Sequence, residues 1–323
     1  MFKMGKPSEI ADEVSRVAQL ASILEVCTYP KPGTVHRFYD FKDTKFEHFI
    51  ASGVAIGPII REASIKGLLV DCGKLGLSEV GVGRYIRKCI VESGRWHHGG
   101  NTNLGIVTLL VPLAVGAALS RSKHEKIKAR LLRQKVRETM ESTTVDDSIN
   151  FYDAVRSADF SCLGRISPKS APDVTSKFAI RELSQKNITL YKVMKVCSPW
   201  DNICKEWITG MRITFKLGYP VIKTVYRETR DLNTAIAQCF LTILANYPDS
   251  LIARKNGMEI AKKISQKAQK ILVNGGNLTD EGRNEAERFD EQLHTPDNRL
   301  NPGTTADLTA SSIMVSLLCG IRP

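Results

Sequence analysis

The sequence has no Cys-x-x-Cys pair and no two histidines four residues apart, and its eight cysteines stand scattered at Cys27, Cys72, Cys89, Cys162, Cys197, Cys204, Cys239 and Cys319. That pattern excludes a zinc knuckle or a redox dithiol motif and points to reduced thiols in a cytoplasmic protein. His97 and His98 are adjacent, diverge on any regular element, and read as a solvated or phosphate-facing pair. No segment joins a basic start to an apolar stretch and a small-residue cleavage site, so export is not expected. The longest apolar run, Leu104 to Leu119, contains Pro112 and falls short of the roughly 20 residues a bilayer requires. It reads as a buried core helix, and no membrane partner is expected. Repeats and long low-complexity tracts are absent. No alternation of strands with crossover helices appears, which disfavours a doubly wound nucleotide fold.

What is present is helical periodicity in a chain of 323 residues, 42% of them apolar, enough to bury a large core. Ile10, Val14, Val17, Ala21 and Leu24 recur at helical spacing after Pro7 and Ser8 and carry a first helix to Glu25. Similar patterns predict helices near 45–67, 79–93, 102–120, 122–142, 147–160, 200–217, 231–246, 257–273, 279–293 and 305–319. Only short runs such as Val221 to Tyr226 are left as candidate strands. The expected fold is all-α: one compact multi-helix domain over residues 1–323, with a buried central helix and a phosphate and sugar site at helix ends. The polar stretch 164–177 is expected as a surface loop insertion, and His294 to Gly303 as a second loop.

The net charge of +12 favours polyanionic partners without choosing among them. Eight Lys or Arg residues face one acid, Glu125, between Arg121 and Arg137. Such a run is usually a solvated helix face, and without interleaved aromatics an RNA-binding surface ranks last. A homo-oligomer is left open.

Four segments set turn residues beside an amide, a lysine or an aspartate at a helix end, where free N–H groups point at anions. They are Thr28 to Gly33, Gly99 to Gly105, Pro248 to Ile252 and Asn301 to Leu308. Each has a plainer reading. Lys31 and Gly33 fit a simple turn, and Asp249 and Asp307 fit helix N-caps.

Together these segments resemble the triphosphoribosyl-dephospho-CoA synthase family, the transferases that make the prosthetic-group precursor of citrate lyase and malonate decarboxylase. The resemblance runs from about Glu25 to Leu318. It rests on Glu25 with Pro30-Lys31-Pro32-Gly33, on Asp43, on Asn101-Thr102-Asn103-Leu104-Gly105, and on Gly275-Gly276, Gly282-Arg283, Phe289-Asp290 and Pro302-Gly303-x-x-Ala306-Asp307-Leu308 in the family's order. Ile203-Cys204-Lys205-Glu206 stands where the family has Ala-Arg-Gly-Glu, keeping the acid and replacing the arginine by the point charge of Lys205. Family histidines are replaced by Phe41 and Asn103, and these changes leave the acceptor open.

The resemblance implies displacement of adenine from C1′ of ATP by the 2′-hydroxyl of dephospho-CoA or a related hydroxyl acceptor. Such glycosyl transfer needs carboxylates near the sugar, and the triphosphate needs Mg²⁺ with cationic or N–H donors. On this basis Glu206, Asp307 and Glu25 are expected as catalytic residues and Asp249 and Asp307 as metal ligands. Lys31, Gly33, Asp43, Asn101, Thr102, Gly105, Lys205 and Gly303 are expected to bind substrate. The alternative is a nucleotide-binding protein that uses the same pocket without transfer.

Overall fold

Pro112 stands in the middle of the most deeply buried helix and organises its surroundings. A proline lacks the N–H that would bond the carbonyl four residues back. Here that carbonyl, on Thr108, accepts instead from the indole N–H of Trp207 at 3.3 Å, and Trp207 is itself fully buried. The helix break thus becomes a docking point.

The computed structural model describes residues 7–121, 127–158 and 171–323. Its helices are α1 (Pro7–Cys27), α2 (Phe46–Ala55), α3 (Gly57–Asp71), α4 (Val82–Trp96), α5 (Leu104–Arg121), α6 (Ala129–Glu141), α7 (Val145–Ser157) and α8 (Ala179–Gln185). There follow α9 (Leu190–Cys197), α10 (Asn202–Thr209), α11 (Tyr219–Thr229), α12 (Leu232–Asn246), α13 (Ser250–Asn256), α14 (Met258–Val273), α15 (Asp280–Leu293) and α16 (Gly303–Leu318). No strand occurs among the described residues. The fold is all-α.

At the centre, α5 packs against α1, α3, α4, α6 and α16. Its side chains from Ile106 to Leu119 are buried on every face, and each large aliphatic among them contributes about 1.5–3 kcal/mol. By length and composition α5 is apolar enough to cross a membrane, yet 89% of it is buried by its neighbours. The other central helix, α16, is rich in Ser and Thr. Its buried hydroxyls bond backward to the helix's own carbonyls, Thr309 to Thr305, Ser312 to Leu308 and Ser316 to Ser312. Burial therefore leaves no hydroxyl of these three unpaired. A second apolar cluster joins α12 to α13, α14 and α15, and α12 contributes to both clusters.

Several expectations are corrected. Val221 to Tyr226 lies within α11, where Ile222 and Val225 are buried three residues apart and Pro220 fits the first turn. The helix expected over 45–67 divides at Ile56, because Pro58 restarts it as α3. Beyond Thr209, Gly210 at φ +60° ends α10, and a π-helical turn covers Thr214–Gly218. The helix expected from 122 begins at Ala129 in the described residues, and residues 122–126 of the basic run lie outside them. Helices α8, α9 and α13, of seven or eight residues, are too short for periodicity to reveal. Of the loop expected at 164–177, residues 164–170 lie outside the described residues. The rest packs on α7, with Tyr152 bonding the Pro172 carbonyl and Arg156 the Val174 and Ser176 carbonyls.

Candidate active site

A cavity of about 770 Å³ opens where α1 ends and where α5, α10 and α16 begin. Glu25 in the last turn of α1 reaches it, ion-paired with Lys31 of the following loop. Both are almost wholly buried, and the Lys31 ammonium also lies 5.9 Å from the Phe240 ring centroid. Asp307, at the start of the second turn of α16, also lines the cavity and lies against Gly105 of α5. Asn101 accepts from the N–H groups of Asn103 and Leu104 and so caps α5. Thr102 bonds Ser52, which bonds His97. Asp201 caps α10 through the Cys204 N–H and pairs with Arg254 of α13.

Asp307 is the electrostatic focus. Burial pushes its carboxyl well above the usual range, and the charges of Glu25, Asp249 and Asp201 push it the same way, with Arg254 opposing. No hydrogen bond to its carboxylate occurs among the described residues. An acid so placed binds its proton more tightly than a free carboxyl does, which suits it to proton delivery.

Gly105 matters because of this closeness. A Cβ there would fall 1.9 Å from Asp307 Oδ2. Gly105→Ala should keep its helical circular dichroism while displacing the carboxyl, and a displacement near 1 Å lowers turnover about 100-fold. Unchanged turnover in this variant would show that Asp307 need not hold its position.

The structure brings Glu25, Lys31, Asn101, Thr102, Gly105, Gly303 and Asp307 together on the cavity wall. Glu206, Asp249, Lys205, Gly33 and Asp43 lie off it. Glu206 is fully buried and accepts from the Ile213 and Thr214 N–H groups and the Thr214 hydroxyl. It holds the π-helical turn and lies off the cavity wall where it was expected to act. Asp249 is likewise engaged at both oxygens, Oδ1 with the Leu251 and Ile252 N–H groups and Oδ2 with the Thr305 N–H and hydroxyl. Its lone pairs fasten α13 to α16 and leave none directed at a metal. Asp249→Ala should therefore lower stability by about 3 kcal/mol, read from the urea midpoint; a shift below one third of that would deny the clamp.

Gly33, at φ +79°, has no room for a side chain, since a Cβ there would fall 2.7 Å from Leu293 Cβ, and it donates to Asp290 Oδ1 at 2.8 Å. It shapes the loop that carries Lys31. Asp43 is exposed outside the Gly99–Gly105 segment, its carbonyl accepting from the Gly100 N–H. In place of Lys205, Arg254 brings the guanidinium to the wall. Sequence reasoning missed it because α13 is one short turn-rich helix far from the Lys205 motif.

His36, Asp290 and His294 bring ligand-type atoms within 4.8 Å of one another. The Phe38 N–H points at His36 Nδ1, so Nε2 carries the ring proton and donates it to Asp290 Oδ2 at 2.9 Å. His294 Nε2 donates to the Thr34 carbonyl at 3.2 Å. These bonds make the trio a clamp on the Lys31 loop rather than a metal site.

An all-helical frame that sets carboxylates, a buried lysine and three helix N-termini around one cavity defines a class of acid–base helical proteins suited to anionic ligands. The chain matches the ATP:dephospho-CoA triphosphoribosyl transferase family over residues 11–322 and belongs to it. It is 33% identical over 97 residues to the 2-(5''-triphosphoribosyl)-3'-dephosphocoenzyme-A synthase of Klebsiella pneumoniae, covering 30% of this chain and 32% of that one. It is 27% identical over 108 residues to the Escherichia fergusonii synthase, covering 33% and 35%. The aligned stretch thus spans about a third of these curated relatives. A crystal structure from Archaeoglobus fulgidus, provisionally described as a triphosphoribosyl-dephospho-CoA synthase, superposes with TM-score 0.63 at 27% identity, over 86% of this chain and 100% of that one.

Proposed function

We propose that this chain transfers the 5-triphosphoribosyl group of ATP to the 2′-hydroxyl of dephospho-CoA, or of a related acceptor, and releases adenine. The observation that carries the reading is that one cavity is lined both by Asp307, whose proton affinity burial raises, and by the lysine-bound carboxylate of Glu25. In the reaction the hydroxyl oxygen bonds to C1′ as the bond from C1′ to adenine breaks. Glu25 takes the hydroxyl proton, Asp307 gives its proton to the departing base, and the oxocarbenium-like charge between them is held by the Glu25 carboxylate. The N-termini of α5, α10 and α16, with Lys31 and Arg254, receive the triphosphate.

Mg²⁺ fits this wall, since it takes one or two carboxylates and completes its shell with phosphate oxygens and water. Asp201, which already caps α10 and pairs with Arg254, and Asp173 are the cavity carboxylates that would share that place; Asp249 lies off the cavity wall in the helix clamp, and the raised proton affinity of Asp307 favours the acid's role over a ligand's. When bound, the ion neutralises charge on the triphosphate. We place the protein in the cytoplasm, where both substrates are found, and leave a homo-oligomer open.

Purified protein incubated with ATP, Mg²⁺ and dephospho-CoA should yield free adenine by chromatography and the triphosphoribosyl adduct by mass. Adenine without the adduct would move the reading to another hydroxyl acceptor. Bound ATP with neither product would leave a nucleotide-binding protein.

A further inference from the structure

Behind the cavity wall at the start of α5 runs a chain of hydrogen bonds that the reaction above does not use. Thr102 lines the cavity and is buried. Its hydroxyl lies 2.6 Å from that of Ser52 on α2, which is fully buried, and Ser52 Oγ lies 2.8 Å from Nε2 of His97, just beyond α4. The direction of each bond follows from the His97 end. The Gly99 N–H donates to His97 Nδ1 at 3.1 Å, so the ring proton sits on Nε2. Burial first, then the neighbouring imidazoles of His48 and His98, holds His97 below its usual range and keeps this neutral form at neutral pH. His48 also braces the turn. Its ring stacks on that of His97 with centroids 5.1 Å apart, and a Cβ on Gly99 would fall 2.0 Å from His48 Nδ1.

His97 Nε2 therefore donates to Ser52 Oγ. Ser52 has one acceptor for its own hydroxyl proton among the described residues, Thr102 Oγ1. Thr102 is thus offered a proton by Ser52 and, at 3.4 Å, by His97. Its own proton has no acceptor among the described residues and turns to the cavity. We propose that Ser52 and His97 are positioning residues that commit the Thr102 hydroxyl as a donor to a phosphate oxygen of the bound nucleotide. A hydroxyl left to itself donates or accepts with equal ease. A phosphate oxygen offers only lone pairs, and a hydroxyl already turned to present its proton binds it best. That donor has a place to fill, because the Asn101 side chain takes up the N–H groups of Asn103 and Leu104 at the start of α5. The choice of phosphate rests on the function proposed above, whereas the orientation of the hydroxyl does not.

Titration calorimetry of the full chain, with ATP and with inorganic tripolyphosphate, each with Mg²⁺, tests this without requiring turnover. Thr102→Val should weaken both ligands by about 10-fold to 100-fold, the range for a hydrogen bond to a charged group. His97→Phe, which lets Ser52 and Thr102 reverse their bond, should weaken both by about 10-fold. His97→Gln, whose amide still donates to Ser52, should recover to within about threefold of the parent. In a Thr102→Val background His97→Phe should lose no further affinity, because it acts through that hydroxyl. A further loss in the double variant, or equal losses in His97→Phe and His97→Gln, would reduce His97 to a structural role and overturn the proposal. Unchanged binding in Thr102→Val would overturn it too, and a parent that fails to bind tripolyphosphate would remove phosphate as the recipient. Thr102→Val and His97→Gln nearly keep the parent's shape, so the test stands even where His97→Phe does not fold. In the adenine assay His97→Phe should raise KM for ATP by about 10-fold with kcat kept. A loss confined to kcat would contradict the binding role, while a parent that binds ATP and tripolyphosphate yet releases no adenine would count against the reaction alone.

Discussion

Asp307→Asn should abolish adenine release and at the same time make the protein more stable at neutral and alkaline pH. The loss follows from removing the proton donor to the leaving base, a contribution of about 100-fold to 10,000-fold. The gain follows from electrostatics. Burial first, then Glu25, Asp249 and Asp201, raise the proton affinity of Asp307 in the fold. Below its ordinary value near 3.8 folded and unfolded chains both hold this proton, and the fold pays no penalty. As pH rises through that value the unfolded chain ionises while the folded one resists, so stability falls until the raised folded value is passed. An amide cannot ionise and escapes that penalty. Thermal unfolding from pH 4 to 8 should therefore show a shallower decline in the variant than in the parent. A variant with lower stability at every pH would mean that the carboxylate has a structural partner, and retained turnover would remove it from the chemistry.

Much of the frame was legible because long amphipathic helices advertise themselves. The periodicity from Ile10 to Leu24 lies in α1, and the unbroken apolar run after Leu104 is the buried central α5. Boundaries failed where a local event outweighed period. Pro58 divides one expected helix in two, and the β-branched run at Val221 folds as helix because Ile222 and Val225 share a buried face. Motif order found the family for the same reason that it found the cavity. The turns at 28–33, 99–105 and 301–308 are the helix ends that converge. Spacing along a chain does not distinguish an acid facing a cavity from one spent inside the frame, however. Glu206 and Asp307 look alike in sequence, yet Glu206 is saturated by three donors and Asp307 by none among the described residues. Asp201 and Arg254 meet only because α10 and α13 fold together, and no local pattern announces that meeting.

Lys31→Met should be the most damaging substitution for stability, and Glu25→Gln in the same chain should repair most of that damage without restoring turnover. Lys31 and Glu25 are 1% and 2% exposed, so each depends on the other for charge compensation. Removing one partner of such a buried pair costs about 3–5 kcal/mol, because the remaining charge stays in a poorly solvating site. Replacing both partners by neutral groups of similar volume removes the burial penalty together with the attraction, and such exchanges are often neutral or stabilising. The double variant should thus unfold within about 1 kcal/mol of the parent. Turnover depends on the Glu25 carboxylate as base and should stay at least about 100-fold down in both variants. Equal stability of Lys31→Met and the parent would show that Glu25 finds another cation, and recovery of adenine release in the double variant would show that the pair is scaffold alone.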